Sequence, residues 1–153
     1  MPYTLSKAQT GAGTLVNINT GTPSTPTWTV IGEIQNFSQS GKQNATDETT
    51  NLQSTGEEFL ATFFKPGKFD FTYSRVSGDT GQVALKTSFD SKTILGYQVV
   101  LPKTPTQSST GDTYTFSALV EEMADISDIQ PTKKILGKAS LKVSGAITLV
   151  AGS

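Results

Sequence analysis

The chain has 153 residues, no cysteine, no histidine and a formal net charge of −1 from 12 Lys and Arg against 13 Asp and Glu. That length fits one domain, able to remove roughly 70% of its extended-chain surface from water without a disulfide or metal. Thiol catalysis, thiolate metal sites and a disulfide framework are excluded, as is the side chain most used as a general base or metal ligand near neutral pH; the charge balance gives no general pull toward nucleic acid or anionic membrane.

Ser and Thr together make up 40 positions and Gly another 14, a composition that favours pleated strands and turns and so a mainly β chain. The stretch MPYTLSKAQTGAG lacks the apolar core of a secretory signal, and nowhere do more than three apolar residues run together. The expectation is a chain soluble as made, in a reducing cytoplasm, with no membrane insertion.

Residues 1–26, with Gly11, Gly13, Gly21, Pro23 and Pro26, read as a flexible N-terminal arm carrying at most one early strand at Leu15 to Ile18. Trp28, Val30 and Ile34 then fall on one face of a period-two pattern, which predicts a strand anchored in the core by Trp28 and closed by Phe37. After a turn at Ser38 to Gly41, Lys42 to Thr50 fits an exposed strand, polar on both faces. It runs into a long polar excursion, Asn44 to Gly56, in which only Ala45 and Leu52 are apolar. Structureless loops of that length are uncommon in compact domains and are usually functional or disordered. Phe59 to Phe64 reads as the hydrophobic return to the core, with Phe63 and Phe64 open between core and contact surface, and Phe69, Phe71 and Tyr73 alternate with polar residues as a half-buried strand.

Asp79 as N-cap, with Gln82 three residues on, predicts a helix from Thr80 to about Asp90 that packs Val83, Leu85 and Phe89 on a sheet. Leu95 to Leu101 and Tyr114 to Val120 alternate as two strands of a hairpin across the polar tract at Gln107 to Gly111. Glu121, Glu122, Asp125 and Asp128 form an acidic segment without a base, and Lys133, Lys134, Lys138 and Lys142 a basic one without an acid. The two pair across a hairpin or across subunits. Leu141 to Leu149 makes the last strand, with Gly145 marking a bulge or a close approach.

No catalytic template is met. Ser-His-acid and Cys-His devices lack their histidine; no Gly-rich loop ends in Gly-Lys-Ser/Thr, and Gly11-Ala12-Gly13 lacks the rest of a dinucleotide fingerprint. The carboxylate pairs Asp47-Glu48, Glu57-Glu58 and Glu121-Glu122 are neighbours in sequence. On strands they face opposite sides, as solvating charge rather than a paired acid and base. No catalytic, cofactor or metal residue is assigned.

Trp28 to Glu33, the Asp47-Glu48-Thr49-Thr50 step, a small polar loop with Gly56, Glu58-Phe59 and the alternating strand through Phe71 resemble the tail tube (major tail) proteins of long flexible-tailed bacteriophages. The capped helix near Thr80, the strands ending at Pro102 and starting at Thr113, and Ser144-Gly145-Ala146-Ile147-Thr148 follow in the same order. The resemblance spans Trp28 to Val150. Ala61 to Pro66 departs from it as extra apolar sequence.

The resemblance implies a mainly β fold, a β-sandwich or split barrel with one flanking helix, occupying residues 27–150 between the arm and a C-terminal tail at 151–153. It further implies a structural subunit that closes with copies of itself into hexameric rings, and rings that stack into a conduit for genome DNA, which passes without specific binding. The other partners implied are a tape-measure protein, a tail terminator and a distal tail protein. The site is the virion tail, after assembly in the bacterial host cytoplasm. Asp47, Glu48, Leu52, Gln53 and Glu57 would then contact the neighbouring ring, with Leu52 as apolar anchor. Glu121, Glu122, Asp125 and Asp128 would line the lumen or pair Lys133, Lys134 and Lys138 of an adjoining subunit. Two alternatives stay open: another virion or secretion-system β-sandwich (distal tail, tail terminator or type VI secretion tube), and a carbohydrate- or surface-binding module using exposed aromatics.

Overall fold

The structure, a computed structural model, describes residues 9–153; the first eight residues of the expected arm lie outside that range. Nine strands and one helix follow in the order β1 (Leu15–Asn19), β2 (Trp28–Val30), β3 (Ile34–Ser40), β4 (Gln43–Glu48), β5 (Phe59–Lys65), β6 (Lys68–Ser74), α1 (Thr80–Ser91), β7 (Leu95–Val100), β8 (Thr113–Asp128) and β9 (Leu136–Val150). Seven strands form one antiparallel sheet in the order β2-β1-β7-β8-β9-β6-β3, and β4 pairs with β5 in a separate two-stranded sheet.

The connection between β2 and β3 dictates the shape of the large sheet. These strands lie at its opposite edges, yet only Ile31, Gly32 and Glu33 separate them. Four residue steps span at most about 14 Å. The sheet must therefore curl until its edges nearly meet, giving a split barrel. The link itself is held at each residue: Ile31 N–H donates to the Val16 carbonyl at 2.8 Å, Gly32 N–H to Asp79 Oδ2 at 3.2 Å, and the Glu33 carbonyl accepts from Ser74 N–H at 2.8 Å. Glu33 adopts φ 61°, the left-handed region, to make the corner. The single strand expected from Trp28 to Ile34 is thus two strands on different edges, because Gly32 and Glu33 turn the chain.

Period-two alternation builds the core. Phe69, Phe71 and Tyr73 on β6, Tyr97 and Val99 on β7, Phe116, Ala118 and Val120 on β8, and Ala139, Leu141 and Val143 on β9 all point inward and are buried. Phe69 stacks on Phe116 with ring centroids 4.6 Å apart and on Phe37 at 4.9 Å. The inner face is continuous from β3 through β8. Trp28, expected as a core anchor, is only half-buried, because the short edge strand β2 leaves its ring against Gly96 on the outer side of the sheet.

β1 is the early strand expected at Leu15 to Ile18, but it is an inner strand of the sheet rather than part of a flexible arm, paired with both β2 and β7, with Val16 and Ile18 in the core. Asn19 orders the loop after it: its side-chain oxygen accepts from Gly21 N–H at 2.8 Å and Thr27 N–H at 2.9 Å. The outward residues Asn17 and Asn19 are themselves buried polar groups, Asn17 donating to Gln98 Oε1 at 3.1 Å. The tail at 151–153 is also tied down, the Ser153 carbonyl accepting from Ser108 and Ser109 N–H at 2.8 Å each.

Helix α1 closes the barrel over β8, β1 and β2. Asp79 caps it, accepting from Gln82 N–H at 3.0 Å. Gln82 does not reach back to complete a capping box. Its buried amide donates to the Gly32 and Ser74 carbonyls and accepts from Val76 N–H, each at 3.0 Å, joining the β2–β3 corner to the end of β6. The buried stripe is Gly81, Gln82, Leu85 and Ser88. Val83 and Phe89, expected to pack inward, are exposed because they fall off that face.

Candidate assembly surface

β3 runs into β4 through Gly41 and Lys42, and β5 into β6 through Pro66 and Gly67. β3 pairs with β6 and β4 with β5. Residues 34–74 are therefore one long two-stranded ribbon with an elbow. Its lower half belongs to the barrel, and its upper half stands away as a hairpin. At the elbow Gly41 and Gly67 take φ 76° and 82°. A Cβ on Gly67 would lie 2.2 Å from the Ser40 carbonyl oxygen, so both conformation and space demand glycine there.

The excursion is a strand up to Glu48, within the exposed strand expected at Lys42 to Thr50, and a loop from Thr49 to Gly56. β4 is paired along its length, and the tip is closed by its own hydrogen bonds: Thr49 N–H to the Glu58 carbonyl at 2.9 Å, Glu58 N–H to Thr50 Oγ1 at 2.8 Å, and Ser54 N–H to the Asn51 carbonyl at 3.0 Å. Asn51 Oδ1 accepts from Gln53 N–H at 2.9 Å, an Asx turn that places Leu52 at the apex, fully exposed at 106% relative accessibility.

The hydrophobic return to the core expected at Phe59 to Phe64 is the largest correction, although Phe63 and Phe64 fall on the contact-surface alternative left open for them. Every residue of β5 is exposed, with Phe59 at 67%, Leu60 at 60% and Phe63 at 78% relative accessibility. The elbow lifts this strand off the barrel, and the core is already filled by β6. Phe59 and Leu60 are adjacent on a strand, so they face opposite sides and both faces of the hairpin carry apolar surface. A register shift opposite Asn44 to Thr46 bends the ribbon further.

The charged candidates do not gather into one surface. Asp47, Glu48, Gln53 and Glu57 are on the hairpin with Leu52, all exposed. Glu121 lies beside the elbow. Glu122 is on the outer face of the sheet with Asp70 and Lys138. Asp125 approaches Lys86 of α1 at 4.0 Å, and Asp128 accepts from Gln130 Nε2 at 3.1 Å. Lys134 donates to Gln35 Oε1 at 2.7 Å, and Lys133 sits in the turn before β9. β8 and β9 do form the hairpin that would bring the two charge blocks together, with Ala124 opposite Lys138 and Asp128 opposite Leu136. Among the described residues the ion pairs are Lys86 with Asp90 and with Asp125, neither drawn from the basic block.

The split of the barrel leaves a cleft of about 560 Å³ between β1 and β3, lined by Leu15, Val16, Ile31, Ile34 and Phe37, with Glu33 its single charged side chain. One inward group is unsatisfied: the Tyr97 hydroxyl is buried without a hydrogen-bond partner. Burial pushes its pKa up to about 12, and nearby Ser88, which would ease it, gives its own hydroxyl proton to the Thr93 carbonyl at 3.0 Å. Neither feature assembles a nucleophile, a base and an electrophile-binding group.

No family model matches the sequence, and comparison with curated proteins finds no significant match. The fold, by contrast, is shared along nearly the whole chain: it is that of tail-tube-like proteins of phages and contractile injection systems. A chain in the tube-terminating cap of the anti-feeding prophage superposes with a TM-score of 0.72 at 8% identity, covering 99% of this chain and 97% of that one. A chain in the tail of an empty gene transfer agent particle, refined with C6 symmetry, gives 0.71 at 16% identity, covering 94% and 100%. The SPP1 tail tube gives 0.68 at 15% identity, covering 92% and 77%. At such identities, shared architecture is what these likenesses establish.

Proposed function

We propose that this chain is the structural subunit of a phage tail tube or closely related injection tube, polymerising into stacked rings around a conduit for genome DNA. The observation that carries the reading is the β4–β5 hairpin: a two-stranded ribbon, apolar on both faces, held away from a core that does not need it. An isolated hairpin is marginal in water, and exposed aromatic surface of this kind marks an interface. Copies of the same chain supply the cover most economically, since a head-to-tail contact closes into rings by rotation and repeats along an axis by translation. The C6 symmetry of the gene transfer agent tail supports six subunits per ring.

In this reading the protein performs no catalysis and resides in the virion tail after assembly in the host cytoplasm. Its neighbours beyond itself are a tape-measure protein, a terminator and a distal tail protein. Leu52, with Asp47, Glu48, Gln53 and Glu57 around it, reaches the adjoining ring. Glu122 and Asp70 share the outer face of the sheet with Lys138, where the acids are available to a wall facing DNA or to lysines of an adjoining subunit. Negative-stain electron microscopy and light scattering of purified protein over a concentration series test the proposal. Rings and tubes of uniform diameter are expected; a monomer at every concentration would overturn it.

A further inference from the structure

The elbow of the ribbon holds a second feature that the barrel does not use. A pocket of about 420 Å³ opens beside Gly41 and Gly67, with Phe64, Pro66 and Val143 as its apolar lining and Lys65, Lys68 and Lys142 around it against a single acid, Glu121. The hairpin tip has the opposite character. Between Gln43 and Phe64 there is no Lys or Arg, and Asp47, Glu48, Glu57 and Glu58 flank the exposed Leu52. Among the described residues, none of these lysines or acids is in an ion pair.

Resting on the tube reading, we propose that the acidic, leucine-tipped end of the hairpin docks into the lysine-rimmed elbow pocket of a second copy of this chain. Leu52 enters the apolar floor, and the tip carboxylates face the rim lysines. The tip cannot reach the elbow of its own chain: β5 alone has seven residues, and at about 3.3 Å per residue it holds the tip some 23 Å away. The hydrogen bonds across the tip fix Leu52 before contact, so little ordering is needed on docking. Each copy thus carries one knob and one socket at the two ends of one ribbon half, which is the condition for an open-ended, head-to-tail stack. The elbow glycines set the direction in which the knob points.

A reciprocal charge swap tests this. Lys68→Glu/Lys142→Glu gives a chain with tip and socket both acidic; Asp47→Lys/Glu48→Lys/Glu57→Lys gives one with both basic. All five positions are exposed, so both variants keep wild-type thermal unfolding. Each alone should raise the assembly threshold at low salt at least tenfold. A 1:1 mixture should return it to within about threefold of wild type, because each tip then meets an opposite socket. One molar salt should shrink the differences, since it screens such pairs within about 3 Å. Because the chain has no cysteine, Gln53→Cys/Lys142→Cys gives a second readout, an intermolecular disulfide on mild oxidation. Wild-type tubes whose variants assemble unchanged, or whose mixture is not rescued and whose cysteines do not link, overturn the docking and leave the tube reading standing. Disulfide-linked multimers without tubes overturn the tube reading and keep the contact.

Discussion

Phe63→Thr separates an interface aromatic from a core aromatic within one ribbon. Phe63 is 78% exposed in the free subunit, whereas Phe71, on the continuation of the same chain past the elbow, is 2% exposed. Threonine keeps the strand preference of the site, so the backbone has no new reason to leave its conformation. Surface substitutions of this kind change stability by roughly 0.5 kcal/mol or less, so the urea midpoint of the dilute monomer should be unmoved. Full burial of a phenylalanine contributes about 1.5–3 kcal/mol. With most of the ring still available to cover, each inter-subunit contact should weaken by roughly 1–2 kcal/mol, a factor of about 5–30 in equilibrium. Pelleting at graded concentrations should show the threshold for assembly rising by that factor. Phe71→Ala should behave in reverse, costing about 3–5 kcal/mol of monomer stability through the cavity it leaves. If Phe63→Thr lowers monomer stability by more than about 1 kcal/mol, or leaves the assembly threshold where it was, the hairpin is not a surface held in reserve for a neighbour.

Three further outcomes follow from the fold. The Tyr97 hydroxyl has a folded pKa of about 12 against an ordinary value of 10.0; its neutral form is favoured in the fold. Stability from this group is therefore complete below pH 10 and is lost as pH rises toward 12, by about 2.7 kcal/mol for two pH units. Denaturant midpoints should fall over that interval for wild type and fall less for Tyr97→Phe, which at pH 7 should be at least as stable because it removes a buried, unpaired hydroxyl; equal slopes would refute the assignment. Gln82→Ala strips partners from the Gly32 and Ser74 carbonyls and the Val76 N–H at once, and should cost roughly 2–4 kcal/mol in chemical unfolding, well above the loss of a plain helix-surface glutamine. Gly67→Ala forces a Cβ against Ser40 at φ 82°, and should lower stability by about 1–2 kcal/mol or more while impairing assembly beyond what that loss explains, because the hairpin is re-aimed.

Much of the barrel was legible because its strands obey one rule. β6, β7, β8 and β9 each put alternate apolar residues on a single face, and α1 announced itself through Asp79. β1 was legible as a short strand at Leu15 to Ile18, but its place in the sheet was not: its outward Asn17 and Asn19 are buried polar groups, the Asn17 amide donating to Gln98 with its Oδ1 left unpaired and Asn19 accepting from the following loop. The alternation therefore marked a strand without telling a terminal arm from an inner strand of the sheet. The strand from Trp28 to Ile34 divides because three residues that alternate acceptably in sequence contain the corner that joins opposite edges of the sheet. Nothing in a local period reports on which edge a strand will join.

β5 is the instructive failure. Phe59, Leu60, Phe63 and Phe64 have the composition of a core strand, and composition records only that a surface will be covered, not by which molecule. What could have separated the cases is the chain's punctuation. Gly41 and Pro66-Gly67 fall at matching points on the two sides of the ribbon, and a strand pair interrupted on both sides at the same level changes direction there. Apolar residues on the hairpin side of such an elbow have left the domain's own core, while Phe69, Phe71 and Tyr73 on the barrel side remain inside. The polar partner β4 agrees with this, since a strand buried in a barrel would not face a partner carrying Asn44, Thr46, Asp47 and Glu48. An apolar strand paired to a polar one, past a double glycine break, is thus the pattern of an apolar surface that stands outside the chain's own core, and it depends on no functional residue being present.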